Sequence, residues 1–395
     1  MMFRKRNALI LLVTFLILSL IVAGCGGNKK EEPKKEDTET SEVIKIGVFE
    51  PMTNANAAGG AMEVEGIQLA NDLYPEVLGK KIKLVIADNK SDKVEAANAV
   101  TRLVEKEKVV AIIGSWGSSF SMAAGPIVKE NKIPAVAASA TNPLVTKGND
   151  YYFRVCFIDP FQGKVMANYA FNQIGAKKAA IIKEVSNDYA VGLAKFFSDE
   201  FVKLTGDPKS IVANVDYQTN DQEFSAQLQA AAQANPDVIF APGNFTESAL
   251  IIKQAREQGI DIPIIGGDTW EAPEFLQIGG EAVEGAVFST FFTSEVPITK
   301  ESEKFLAEYR KKYNEEPSSV AALGYDAYLV IRAAIEKAGS TDPVKIRDEI
   351  AKTKDFVGAA GIITLDENGD AVKSAVIKKV ENGKFVYQAT VEPSK

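Results

Sequence analysis

The chain contains no histidine among its 395 residues. Histidine has the ordinary pKa nearest neutrality and is the commonest metal ligand. Its absence removes the simplest route to general-base catalysis and to a transition-metal site. Cysteine is nearly as scarce, with only Cys25 and Cys156, so no paired-cysteine metal motif can be built. A Gly-x-Ser-x-Gly nucleophile elbow and a phosphate-binding glycine loop are also missing. So is a basic stripe: 45 lysines and arginines face 53 aspartates and glutamates, a net charge of −8. That balance excludes nucleic acid as a partner. No catalytic residue, metal or cofactor is expected.

Long hydrophobic runs are absent except at the start. Arg4, Lys5 and Arg6 precede an apolar core over residues 8–22, interrupted by Thr14 and Ser19, and Val22, Ala23 and Gly24 lead into Cys25. Residues 1–24 read as a secretion signal, too short for a comfortable membrane span. Removing them takes the net charge from −8 to −11. Their end resembles a bacterial lipobox, which implies cleavage before Cys25 and lipid on its sulfur. An ordinary signal peptide or an uncleaved anchor is the alternative. More than one acyl chain would make the anchor stable. Residues 26–42 carry no bulky apolar side chain. With Cys25 they read as a flexible tether. Cys156, left without a partner, lies in an apolar run and reads as a buried small hydrophobe.

The remainder is globular in composition, 46% apolar and 25% charged, and long enough for two domains. It is organised around residues 109–146. A short β-branched run, 109–113, suits a strand buried on both faces. Glycines and serines at 114–119 break it, and Ser118 or Ser119 can cap a helix running to about residue 131. Residues 135–138 form the next strand, which ends in the polar turn Ser139-Ala140-Thr141-Asn142-Pro143. Two parallel strands thus release small hydroxyl residues at their carboxyl ends, where open α/β sheets bind ligands. With a helix N-terminus beside them, the site suits a carboxylate or another small anion. Capping and turn bonding alone are the other reading of these residues.

Strand and helix alternate on either side. Strands are expected at 43–49, 82–87, 179–183, 211–216, 238–241 and 262–265, with helices between them, which implies parallel sheets covered on both faces. Asp92 is expected to cap one helix and Thr246 another. A weak repeat relates residues 82–114 to 211–243. Helices follow at 302–313, 320–338 and 343–353, then strands at 362–365, 375–380 and 385–389. Glu381-Asn382-Gly383-Lys384 supplies a hairpin turn between the last two.

The lipobox, the strand at 43–49, Ile113-Gly114 with Ser118-Ser119, Ala140-Thr141-Asn142-Pro143, Lys253-Gln254-Ala255-Arg256 and the turn at 266–268 occur in this order. Together they resemble the branched-chain amino-acid (Leu/Ile/Val)-type substrate-binding proteins of ABC transporters, which have the type I periplasmic-binding fold. The resemblance covers residues 43–388. It implies an α/β protein of two similar lobes, each a parallel-rich sheet with helices on both faces, joined by a three-crossing hinge. Lobe 1 would comprise residues 43–158 and 291–372, and lobe 2 residues 159–290 and 373–395. It further implies Ser118 and Thr141 as carboxylate binders and Ser139 as a backbone acceptor for the ligand ammonium. Asp268 would be the ammonium's acidic partner, and Tyr189 an aromatic wall on the second lobe. Ala140, Asn244, Trp116 and Trp270 would complete the site. Gly59 and Val320 stand where larger residues are usual, so one wall shrinks while Trp116 or Trp270 fills another.

The function so implied is capture of an apolar amino acid, branched-chain first, outside the cytoplasm. Delivery would be to an ABC permease, by a monomer anchored to the membrane through Cys25. A sensory ligand-binding module is one alternative. A binding protein for urea, short amides or aromatic acids is another, although Asp268 disfavours an aromatic acid, which has no positive group to pair with it. A hydrolase could also use a serine at a helix start, but the histidine-free composition argues against it.

Overall fold

Strand β1 (Ile44–Glu50) is buried along nearly its whole length because it has parallel neighbours on both sides. Its β-branched residues suit that position. The computed structural model describes residues 43–393. The expected signal, the lipidation site Cys25 and the tether lie outside the described residues.

From β1 the chain passes through α1 (Ala57–Leu73), β2 (Glu76–Val77), β3 (Lys80–Asp88), α2 (Lys93–Arg102), β4 (Ala111–Ile113), α3 (Ser118–Asn131), β5 (Ala135–Ala137) and β6 (Tyr152–Arg154). These strands make a six-stranded sheet in the order β2-β3-β1-β4-β5-β6, parallel except for the short edge strand β2. The chain then builds α4 (Asp159–Asn168), β7 (Ala179–Glu184), α5 (Asp188–Thr205), β8 (Ile211–Tyr217), α6 (Ser225–Gln233), β9 (Val238–Phe240), α7 (Phe245–Glu257), β10 (Ile264–Gly266), α8 (Pro273–Gly279) and β11 (Val287–Thr290). It returns to the first sheet with α9 (Lys300–Tyr313), α10 (Ser319–Ala338), α11 (Pro343–Ile350) and the small pair β12 (Phe356–Gly358) and β13 (Gly361–Ile363). The hairpin β14 (Ala375–Glu381) and β15 (Lys384–Val391) extends the second sheet, whose order is β15-β14-β11-β10-β9-β7-β8.

The two lobes share one topology: β3-β1-β4-β5-β6 in the first corresponds to β8-β7-β9-β10-β11 in the second. The repeat in the sequence is therefore a repeat of the fold. The antiparallel hairpin turns at Asn382 and Gly383, both with positive φ, as its Asn-Gly pair requires. Two caps differ from expectation. Asp92 does cap α2, accepting from the N–H groups of Val94 and Glu95. By contrast, α3 starts after Gly117 and α7 after Asn244, neither with a side-chain cap. Ser118 and Thr246 already lie inside their helices.

Helices α1 and α10 cross backbone to backbone. A Cβ at Gly66 would lie 1.8 Å from the carbonyl oxygen of Ala321, and one at Gly324 would lie 2.4 Å from that of Glu63. That close approach carries α1, and Glu63 with it, under the first sheet's working edge. A second tie is electrostatic. Arg154, at the end of β6, is fully buried, and its Nε lies 2.6 Å from Asp370 Oδ1. Its other nitrogens donate to the carbonyls of Ala140 and Asn142 and to Thr146 Oγ1. One arginine thus pins the turn after β5 to a segment more than 200 residues away. Replacing Asp370 by alanine leaves that guanidinium buried without its counter-charge. The expected loss is about 3–5 kcal/mol of stability, read as a lower urea midpoint.

Candidate functional site

The carboxyl ends of the strands in both sheets open on one gap between the lobes. It encloses a cavity of about 520 Å³, a size typical of small-molecule sites. From the first lobe, Asn56, Trp116, Ser118 and Ser139 line it. From the second, Glu184, Asn187, Tyr189, Asn244 and Asp268 do so.

On the first lobe, Gly117 takes a positive φ of 93°, which glycine tolerates. It starts α3 with its leading N–H groups uncapped. The Ser118 hydroxyl accepts the N–H of Asn142 at 3.1 Å, so its own proton remains to be donated. Thr141 Oγ1 is buried and has no hydrogen-bond partner. Ser139 donates its hydroxyl to Glu63. The carbonyl of Ala140 is taken by Arg154 at 2.6 Å. Trp116 stands where a side chain at position 59 would otherwise project: a Cβ on Gly59 would lie 2.4 Å from the indole. Trp116 thus fills the space beside Gly59 and faces Phe245 of the second lobe with ring centroids 6.1 Å apart.

On the second lobe, Asp268 follows β10 and is 4% exposed. Its Oδ1 accepts from Tyr189 Oη at 2.9 Å and Gln162 Nε2 at 2.7 Å. Burial pushes its carboxyl up to about 6, against the lowering effect of those two hydrogen bonds. Asp159, at the start of α4, is fully buried, with both carboxylate oxygens lacking partners in the geometry. Burial raises it to about 8, opposed by the Thr141 hydroxyl nearby and by the charge of Arg154, and reinforced by the charge of Asp268. Of the two acids only Asp268 lines the cleft, and only neutral side chains donate to it. An arriving cation would relieve it.

The lobes are closed on one another. Asn244 Nδ2 donates to Asn56 Oδ1 at 2.9 Å. Asp188 Oδ2 accepts from Lys93 Nζ at 2.8 Å and Ser119 Oγ at 2.7 Å, and its backbone carbonyl accepts from Asn142 Nδ2 at 2.8 Å. Burial opposes ionisation of Asp188, but Lys93 and Ser119 hold its carboxyl below the usual range.

Of the residues singled out in the sequence, Trp116, Ser118, Ser139, Tyr189, Asn244 and Asp268 come together as cleft lining. Ala140 and Thr141 are buried beside them without lining the cavity. Trp270 requires a correction. Its indole stacks on Phe275 at 4.9 Å and packs near Phe288, fully buried in the second lobe's core. An apolar surface of that size is more stably placed there than at a polar cleft. Asp159, Gln162, Asn56 and Glu184 were missed. Glu184 ends β7 and Asn56 follows β1, so the rule that ligands gather at strand carboxyl ends points to both. Cys156 is buried as expected, and its surroundings push the thiol upward by desolvation.

Two sheets of like topology, facing carboxyl end to carboxyl end across a closed cleft, define a two-lobed solute-binding protein. The sequence profile described as "Periplasmic binding protein" matches residues 43–384, and the chain belongs to that family. The chain is 48% identical to a leucine-binding protein, LivK, from Thermotoga maritima; that structure aligns with a TM-score of 0.86 over 89% of this chain and 99% of its own. It is 36% identical to the branched-chain amino-acid transporter substrate-binding protein LivJ of Streptococcus pneumoniae, solved in complex with isoleucine. There the TM-score is 0.83 over 89% of this chain and all of the other. A Leu/Ile/Val-binding protein homologue of Brucella melitensis is 28% identical over 87% of this chain and 93% of its own length. Proteins of this family work outside the cytoplasm. Among the described residues no helix is long and apolar enough to cross a membrane.

Replacing Asp188 by alanine removes the Lys93 and Ser119 side-chain bonds that join the lobes. These groups are part-exposed, so the closed form should lose about 1 kcal/mol. That corresponds to a roughly fivefold weaker ligand affinity and a larger radius of gyration in X-ray scattering at sub-saturating ligand.

Proposed function

We propose that the cleft captures a zwitterionic α-amino acid with an apolar side chain, leucine, isoleucine or valine first. The closed form then presents it to an ABC permease. The chain acts as a monomer anchored to the membrane by lipid on Cys25. The observation that carries the reading is the polarity of the cleft's two ends. Ser118 and the uncapped start of α3 offer donors, with the unpartnered Thr141 hydroxyl behind them. Asp268 offers a buried carboxylate with no cation in hydrogen-bonding contact. A carboxylate suits the first end and an ammonium the second.

In this reading Ser118 and Thr141 take the ligand carboxylate. Ser139 offers its backbone carbonyl to the ammonium, and Asp268 pairs with that group across the cleft. Tyr189 orients Asp268 through its hydroxyl, and Gln162 does the same from below. Trp116 and Phe245 bound the side-chain end, with Asn244 beside them. The leucine-binding relative and the isoleucine complex support an apolar branched side chain at that end. The two lobes would hinge where the chain passes between sheets, near residues 158–159, 291 and 372–375. No step of chemistry is needed: the ligand leaves as it arrived.

Calorimetric titration of the soluble domain with the amino acids, urea, acetamide and benzoate tests the assignment. Leucine, isoleucine or valine should bind, and benzoate should not. Asp268→Ala should weaken leucine binding at least about a hundredfold, because the ammonium would be buried short of its partner. An unchanged Kd in that variant would sink the role of Asp268.

The pH dependence has a definite sign. Burial pushes the Asp268 carboxyl up to about 6, and only its ionised form pairs with an ammonium. As pH falls below 6 the ligand must displace a proton. The Kd should therefore rise, approaching tenfold per pH unit for each such group. Titrations from pH 5 to 8 read this directly, and Asp268→Asn should remove the part centred near 6.

A further inference from the structure

Beneath the first lobe's side of the cleft lies a pair of acidic groups to which the ligand reading gives no role. Glu50 ends β1 and Glu63 sits on α1, and both are fully buried. Each is bonded to a loop that lines the cleft. Glu50 Oε2 accepts the Trp116 N–H at 2.6 Å and the Ser115 hydroxyl at 3.2 Å. Glu63 Oε1 accepts the Ser139 hydroxyl. The two carboxyl groups lie close enough for each to act on the other. Their remaining oxygens, Glu50 Oε1 and Glu63 Oε2, meet no donor from any other residue.

An ionised carboxyl group only accepts, so a hydrogen bond between two of them requires a proton on one. The surroundings favour keeping that proton. Asp268 acts on Glu63 from across the cleft as a further negative charge. Tyr152 of β6 faces both acids, is itself under the field of Arg154, and donates its hydroxyl to the Gly114 carbonyl. Burial, opposed by the Ser139 hydrogen bond and by Glu50, leaves Glu63 raised to about 7. Burial and the charge of Glu63 push Glu50 well above the usual carboxylate range.

We propose that Glu50 and Glu63 are positioning residues that share a proton and so lock the Trp116 loop to the Ser139 turn in the arrangement that receives the ligand. The two cleft loops come from different strands, and the shared proton joins them. Without it, two carboxylates would oppose one another under the cleft, and Trp116 and Ser139 would separate. The proposal rests on the amino-acid reading of the cleft.

The test uses leucine as the probe and four variants: Glu50→Ala, Glu63→Ala, Glu50→Gln and Glu63→Gln. An alanine at either position should raise the Kd for leucine at least about tenfold. The matching glutamine should restore most of that loss, because its amide can accept from the loop and donate to the remaining carboxylate without a titrating proton. A second readout needs no ligand. A carboxyl raised in the folded state takes up a proton on folding, so its stabilising effect is complete below its unfolded value. That effect is lost as pH rises through the folded one. The melting temperature of either glutamine variant, relative to wild type, should therefore increase by about 3 °C or more between pH 5 and pH 8. A pH-independent difference in both glutamine variants, or glutamine variants no better than alanine ones at binding leucine, would overturn the proposal. If wild type binds no amino acid, the ligand reading fails instead, and the melting comparison still decides whether the proton is shared.

Discussion

Charge removed from water without its partner is costly, and around this cleft the molecule holds several acids in that condition. Asp159, Asp268, Glu50 and Glu63 are all buried, and burial raises each of them. Other buried charges are paired, among them Arg154 with Asp370, and Lys378 with Glu271 at 2.7 Å. The contrast is physical rather than numerical. Paired ions hold the two lobes' architecture, whereas the unpaired acids gather where a mobile cation can reach them or where a proton can take a cation's place.

The parallel topology decides where that gathering occurs. Right-handed strand–helix–strand units send every connecting loop after a strand to the same edge. Two such sheets facing one another leave a gap that is lined by loops and helix starts from both. Rigid strands thus hold the loops in place on either side of the cleft. In the closed arrangement the lobes meet at the cleft through the buried Asn56–Asn244 bond and a part-exposed cluster at Asp188. Such contacts bias an equilibrium by small amounts, so a ligand that bridges the lobes can control it.

Much of the fold was legible in local pattern. Apolar β-branched runs marked the strands, Asp92 marked a cap, and Asn382-Gly383 marked a hairpin. Residues after strand ends, such as Ser118 and Asp268, were legible as cleft residues for the same reason. What escaped were groups whose placement depends on tertiary contact. Glu63 lies within a helix, where a glutamate ordinarily faces water, and only the glycine-mediated crossing of α1 with α10 buries it. Asp159 before Pro160 has the pattern of a helix start, and nothing local says that both its oxygens will be left without donors. Trp270 is expected at the cleft only through the family resemblance, and packing in the second lobe's core claims it instead.

The placement of Trp116 in the cleft has an optical consequence. The chain has only two tryptophans. One lines the cleft between the lobes, and the other stacks inside the second lobe's aromatic core. One indole is therefore exposed to whatever enters the gap and to the gap's opening, while the other senses only whether its lobe is folded. The protein carries two separate intrinsic fluorophores for two separate events. Replacing either with phenylalanine would leave a single-channel reporter, of occupancy in one case and of unfolding in the other.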